Sequence, residues 1–348
     1  MAEDLSPSER RDRVALHDLH VEFRSGGQRV QAVNGVDLRV GEGEVVALIG
    51  ESGSGKSVTL RACMRLHPEA STRYTGRLEV AGHDVLKLTS RELSRLRGKT
   101  VAMIFQEPLL ALDPVYTVGE QIVESLRRHE GLSRAQARQR ALGLFQKVRI
   151  PSPERRLDAY AHEMSGGMRQ RAMIALALAC NPQVLLADEP TTALDATVQI
   201  QILLLLRDLQ RELGLSIVFV THDIGAAAEV ADRMAVMYAG RIVEQGPAAQ
   251  LLSRPRHPYT QALLLSRSHG AMVRGQRLQT IGGSPPDLAR LPAGCAFADR
   301  CAHAQAACRA TQPPPRSVGP AHEVRCLRLD ELQHLQGSPL HHAAGAAA

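Results

Sequence analysis

The amino-acid sequence predicts an α/β fold built on a largely parallel sheet. Four short apolar runs, Val45–Ile49, 101–105, 184–187 and 217–220, have the length and aliphatic content of buried strands. Segments with helical periodicity, 135–148, 168–179 and 198–213, lie between and after them. Strands that alternate with helices pack as parallel neighbours joined by crossovers. The first run leads directly into a glycine-rich loop, Gly50-Glu51-Ser52-Gly53-Ser54-Gly55-Lys56-Ser57.

Composition narrows the class. Over 348 residues the hydrophobic share is 44% and the charged share 22%, ordinary for a globular chain of one large domain with an extension. Trp is absent and aromatics are 3%, too few for a base-stacking surface, so no nucleic-acid partner is expected. The net charge of +6 is carried almost wholly by scattered arginines, the only lysines being Lys56, Lys87, Lys99 and Lys147. No stretch approaches about eighteen uninterrupted apolar residues, and residues 1–13 are polar. Neither a membrane span nor a secretory signal is expected, and the expected compartment is the cytosol.

The glycine-rich loop fits the spacing G-x-x-x-x-G-K-[ST], with a strand before it and a helical segment from Val58 after it. Its glycines let backbone N–H groups turn toward an anion, and the helix N-terminus adds its positive end. Lys56 brings a point charge for β- and γ-phosphates, and Ser57 a hydroxyl for Mg²⁺. This much implies a nucleoside triphosphatase of unspecified kind. Further on, the run 184–187 ends in Asp188 and Glu189. Two adjacent carboxylates at a strand end are costly unless a cation or a substrate proton lies nearby. Asp188 is the candidate to face Mg²⁺ and Glu189 the candidate general base toward water. The alternative is an exposed acidic turn before Pro190.

Ser165-Gly166-Gly167-Met168-Arg169-Gln170-Arg171 opens another helical segment. A Ser hydroxyl, two glycines and a helix N-terminus make a second anion site, and a plain Ser N-cap fits the same residues. Beside the loop and the acid pair, this string resembles the signature motif of ABC ATPases. Gln106 resembles the family's Q-loop glutamine, Ala193-Leu194-Asp195 its D-loop, and Thr221-His222-Asp223 its switch-histidine segment. Phe23 stands where the family places an aromatic on adenine, a core Phe being the rival reading. The resemblance implies a P-loop NTPase fold of ABC type: a RecA-like core, an antiparallel β subdomain and a helical subdomain carrying the signature. It implies that ATP lies between the loop Gly50 to Ser57 of one subunit and Ser165, Gly166, Gly167, Gln170 and Asp195 of another. It also implies that Ser57, Gln106 and Asp188 face Mg²⁺, and that Glu189, His222 and Gln106 position water for hydrolysis.

Beyond these motifs, Arg254-Pro255-Arg256-His257-Pro258-Tyr259-Thr260-Gln261-Ala262-Leu263-Leu264 and Gly282-Gly283-Ser284-Pro285-Pro286 resemble the C-terminal segment of oligopeptide/dipeptide importer ATPases. Glu107-Pro108 and Leu112-Asp113-Pro114 also resemble that subfamily, so the resemblance spans Val14 to Leu327. Ala161 and Met164 stand where the subfamily usually has Pro and Phe, and neither change removes a functional group. The expected division is an ABC ATPase domain over 14–265, a small loop-rich extension over 266–330 and a disordered tail over 331–348. Cys295, Cys301, Cys308 and Cys326 are spaced C-x5-C-x6-C-x17-C, unlike zinc-ribbon or ferredoxin runs. Some importers that the chain resembles carry a [4Fe–4S] cluster here, which is the expected occupant; Zn²⁺ and four free thiols are the alternatives.

The implied partners are a second ABC ATPase subunit (a paralogue or a second copy), two transmembrane permease subunits and an extracytoplasmic solute-binding protein. The chain would then be peripheral at the cytoplasmic face of the bacterial plasma membrane. The implied cargo is peptide, with nickel chelates, glutathione and opines as cargoes of the same subfamily. A soluble ABC ATPase of DNA repair or the ribosome is the rival class. Only about a hundred residues separate Ser57 from Ser165, too few for the repair enzymes' coiled coil, and a single phosphate loop speaks against the ribosomal type. The extension speaks against an exporter ATPase.

Overall fold

A computed structural model of the chain describes residues 11–192, 194–266 and 281–335. Its strands are β1 (Asp12–Ser25), β2 (Gln28–Gly41), β3 (Val45–Ile49), β4 (Thr72–Val80), β5 (His83–Asp84) and β6 (Val101–Ile104). They continue with β7 (Val184–Asp188), β8 (Ser216–Thr221), β9 (Arg233–Tyr238), β10 (Arg241–Pro247), β11 (Arg316–Gly319) and β12 (His322–Val324). One sheet is antiparallel, in the order β2-β1-β4-β5. The other runs β11-β12-β10-β9-β3-β8-β7-β6.

The stretch from β9 to β6 in that second sheet is parallel, as the alternation of strands and helices predicts. Every residue of β3, β6, β7 and β8 is buried, which is why these strands read as unbroken apolar runs. Several strand ends differ from expectation, β8 extending one residue at each end to Ser216 and Thr221. β6 stops at Ile104, and Phe105 emerges 40% exposed. β7 runs one residue further, to Asp188, whose side chain is fully buried.

A helical layer rises beside this sheet. Helices Val118–Glu130, Arg134–Lys147 and Gly166–Ala177 pack together and put Ile122, Leu126, Ala141, Phe145 and Met173 into the main core. Ser133 and Gln136 form a reciprocal capping box at the start of the second of these helices. Gly131, at φ +70°, ends the first.

The C-terminal extension is joined to the main body more closely than a loop-rich appendage would be. Its strand β12 pairs antiparallel with β10, Glu244 opposite Val324, and β11 pairs with β12. Phe297 is 3% exposed and belongs to the main core. Its ring lies 5.3 Å from those of both Tyr238 and Tyr259, which are 4.6 Å from each other. Helix Leu329–Leu335 carries regular structure past residue 331, where the disordered tail was expected to begin. The rest of that expected tail, 336–348, and the first part of the extension, 267–280, lie outside the described residues.

Glu244 holds this junction. It is 1% exposed and accepts from the backbone N–H groups of Arg256 (2.8 Å) and His257 (2.9 Å), with His322 Nε2 of β12 at 2.9 Å. Burial pushes the His257 imidazole down to about 4, so it is neutral near pH 7. Its Nδ1 then accepts from the Tyr259 N–H at 3.0 Å and caps helix Pro258–Leu265. Glu244→Ala leaves buried donors without an acceptor and is expected to cost about 3–5 kcal/mol, read as a lower urea midpoint, with β11 and β12 losing amide-exchange protection first.

Candidate active site

The phosphate loop leaves β3 at Gly50 and enters helix Lys56–Ala62. Two of its glycines are dictated by contact. A Cβ on Gly50 would sit 2.2 Å from the Met237 carbonyl oxygen, and one on Gly55 would sit 2.3 Å from that of Ala32. Lys56 is buried and folds back into the loop, its Nζ donating to the carbonyls of Gly50 (2.9 Å) and Glu51 (2.8 Å). Desolvation lowers the pKa of this ammonium, and the charges of Glu189, Asp188 and Glu51 work against that shift. The Glu51 N–H donates to the Tyr259 hydroxyl at 2.9 Å.

Ser57 and Asp188 meet beside the loop. The Ser57 hydroxyl donates to Asp188 Oδ1 at 2.7 Å, and Arg61 Nη2 lies 3.3 Å from Oδ2. A fully buried carboxylate next to a hydroxyl is a donor set that suits a hard divalent cation such as Mg²⁺.

Glu189 follows at φ +46°, a strained conformation for a residue that is not glycine. Three side chains converge on its Oε2: Thr192 donates its hydroxyl at 2.9 Å, His222 Nδ1 lies at 3.1 Å, and Gln106 Nε2 donates at 3.4 Å. Gly50, Glu51, Ser52, Gly53, Gly55, Lys56, Ser57, Gln106, Glu189, Thr192 and His222 line one open cleft. The acid pair is therefore not an exposed turn.

Other expected site residues lie elsewhere. Ser165, Gly166 and Gly167 do not line this cleft. Ser165 caps helix Gly166–Ala177, accepting from the Met168 N–H at 3.4 Å. Asp195 caps helix Ala196–Leu213, accepting from the Val198 N–H at 3.0 Å, and Ala193 lies outside the described residues. Gln170 corrects the expectation that it contacts nucleotide: it is 2% exposed, on the inward side of its helix. Phe23 does not line the cleft either. It packs edge-on against the His67 ring at 5.1 Å and beside a second apolar core that includes Val21, Val33 and Leu60, because the β1 register sets it between Val30 and Thr72.

The sequence reading missed several residues at the cleft. Thr192 lies just past the acid pair, and its hydroxyl was the available signal. Leu263, Ile281 and Leu288 add apolar wall, and no local pattern marks them for it.

The four tail cysteines share a cavity with His257 and Phe297. All are free, and burial pushes the Cys295, Cys301 and Cys326 thiols up, Cys326 to about 11. Backbone N–H groups near the sulfurs oppose that shift: Phe297 at Cys295, His303 at Cys301, Arg328 at Cys326. Among the described residues, however, no three His, Cys, Asp or Glu side chains are grouped to hold a metal ion, so the expected metal site meets only part of its geometry.

Comparison with known proteins shows the family of the chain. Residues 33–192 match the family described as ABC transporter, and residues 243–308 match the oligopeptide/dipeptide transporter C-terminal region. A Brucella melitensis protein named as a peptide import ATP-binding protein is 48% identical over 328 residues, covering 91% of this chain and 97% of the relative. The oligopeptide transport ATP-binding protein OppD of Bacillus subtilis is 47% identical over 317 residues, covering 91% and 88%. Among solved structures, the dimeric MJ0796 ABC transporter cassette matches at 30% identity and a TM-score of 0.61, covering 68% of this chain and 98% of that one. The same cassette, solved in a post-hydrolysis state bound to ADP and Pi, matches equally well. The chain therefore belongs to the ABC transporter ATPase family, in the branch that carries the oligopeptide/dipeptide transporter C-terminal region.

Proposed function

We propose that this ABC-type ATPase energises peptide import as one half of a nucleotide sandwich. The observation that carries the reading is the convergence of Gln106, Thr192 and His222 on Glu189, at the edge of the cleft formed by Lys56, Ser57 and the phosphate loop. The peptide assignment is supported by relatives named for peptide import and oligopeptide transport.

In this reading Lys56 leaves the loop carbonyls to pair with the β- and γ-phosphates of ATP. Ser57 and Asp188, with Gln106, would hold Mg²⁺, which would supply charge neutralisation on the phosphate oxygens. The contacts on Glu189 gather on Oε2, which leaves Oε1 to accept a proton from the attacking water. Ser165, Gly166 and Gly167 face the nucleotide of a second ATPase chain, and Asp195 lies at the same junction. That chain is a paralogue or a second copy. Sandwich closure drives two permease subunits fed by an extracytoplasmic solute-binding protein, and this chain sits at the cytoplasmic face of the plasma membrane. Among the described residues no helix is long and apolar enough to cross a membrane, in keeping with membrane spans on other chains.

In this reading residues 14–265 supply the catalytic groups of the ATPase, and residues 266–330 form an extension that adds Ile281 and Leu288 to the wall of the cleft and gathers the four thiols. Cys295, Cys301, Cys308 and Cys326 are proposed as the thiolates that would hold an iron–sulfur cluster. What supports this is the soft four-thiol donor set around one cavity and the N–H groups near the sulfurs. A bound cluster would staple loops that contain little regular structure.

Two experiments test these statements. Glu189→Gln is expected to keep ATP binding, lower turnover by about 10²–10⁴-fold and accumulate an ATP-bound dimer by size-exclusion chromatography; unimpaired hydrolysis would refute the role of Glu189. Anaerobically purified protein is expected to carry stoichiometric iron and acid-labile sulfide with broad visible absorbance. Colourless protein with one equivalent of zinc would overturn the cluster.

A further inference from the structure

The phosphate loop carries an acid where it is about to receive a polyanion. Glu51 lines the cleft directly after Gly50. Its backbone is held at both ends, the N–H on the Tyr259 hydroxyl and the carbonyl under Lys56 Nζ. Its carboxylate meets a residue from the far end of the chain. Arg300 Nη1 donates to Glu51 Oε2 at 2.7 Å and Nη2 to Oε1 at 2.9 Å, a bidentate pair.

Arg300 is held in place for this contact. Its side chain is 5% exposed. Nε donates to the Gly282 carbonyl at 2.8 Å, Nη2 also to the Ile281 carbonyl at 3.2 Å, and Nη1 also to the Tyr238 hydroxyl at 3.1 Å. The guanidinium stands 5.7 Å from the Tyr238 ring centroid and 5.9 Å from that of Phe297. A lysine has neither the planar fork nor the number of donors to replace it. The same segment borders the cleft, since Ile281 and Leu288 line it and the Leu288 carbonyl accepts from the Gln31 N–H at 3.1 Å.

We propose that Arg300 is a positioning residue for ATP: it neutralises and orients Glu51, so that the phosphate loop can take up a polyphosphate without repulsion from its own carboxylate. The proposal rests on ATP as the ligand of the cleft. It makes the C-terminal extension part of the nucleotide site, through a residue adjacent to Cys301 that does not itself touch the phosphates.

The charge argument gives a signature that simple stapling of the extension does not. Without Arg300, an unpaired carboxylate faces the phosphates, and ATP affinity is expected to fall roughly tenfold or more. Removing the carboxylate as well removes the repulsion. The test is calorimetric binding of MgATP and MgADP to the full-length chain as wild type, Arg300→Met, Glu51→Gln and the double variant, with thermal melting run alongside. The expected result is a loss of ATP affinity in Arg300→Met, a smaller loss for ADP, which carries one phosphate less, and recovery of most of the affinity in the double variant. In turnover assays, KM for ATP should rise in Arg300→Met while kcat at saturation stays within about threefold. Wild-type affinity in Arg300→Met, or a double variant as weak as the single one, overturns the proposal. If Arg300→Met does not fold, Arg300→Gln carries the same comparison. Wild-type protein that bound no nucleotide would instead overturn the ATP reading itself, and this proposal with it.

Discussion

Everything at the cleft depends on two backbone contacts that admit no side chain. Gly50 is pressed against the carbonyl of Met237 at the end of β9, and Gly55 against the carbonyl of Ala32 in β2. The loop is thus wedged between the parallel sheet and the antiparallel one. Parallel pairing then delivers the other groups. Ile49 lies opposite Thr221, Asp188 opposite Val220, and Ile104 opposite Ala187. The residues just past these ends are Gly50, His222, Glu189 and, two positions beyond β6, Gln106. Chain segments far apart in sequence reach one point because neighbouring strands end in register, which is why ligands collect at the carboxyl ends of such sheets.

The two acids at the end of β7 have opposite fates. Asp188 completes the strand and is buried, tied to Ser57 and Arg61. Glu189 turns out of the sheet at φ +46°, a conformation that costs about 1–3 kcal/mol in a residue other than glycine. The turn carries its carboxylate to Thr192, His222 and Gln106, and the Glu189 N–H to the Val220 carbonyl at 2.9 Å. One acid is tied into the strand end and its neighbour is turned out to the cleft. The division comes from backbone geometry, since the two side chains differ by a single methylene.

The parallel core and most of the cleft were legible in the sequence, because both depend on local patterns. Apolar runs of strand length mark β3, β6, β7 and β8, and fixed spacing marks the loop around Lys56. Long-range features left no such mark. Strand β12 is three residues long and owes its place to Glu244 on β10, a pairing that no periodicity encodes. Arg300 reaches Glu51 across 249 positions. Phe23 and Gln170 show the converse limit. Each occupies a position at which the motif suggests contact with nucleotide, and packing turned each side chain elsewhere, toward His67 and into the core respectively.

The same packing fixes where the helix that follows Ser165 can present its N-terminus. The helix Gly166–Ala177 is anchored from below: Gln170, Ala172, Met173, Ile174, Ala175 and Ala177 are buried, and a Cβ on Gly167 would lie 2.8 Å from Val198 Cγ1. Its first turn therefore cannot swing toward the cleft of its own chain without pulling apart that core. What the helix leaves at its N-terminus is a set of backbone N–H groups and a serine, with Ser165 exposed and Gly166 and Gly167 partly so. Such an end gains most from an anion brought to it. The cleft lined by Lys56 and the loop is open as well. In one chain the exposed helix end and the open cleft are therefore two separate surfaces, and the anchoring of the helix keeps them apart.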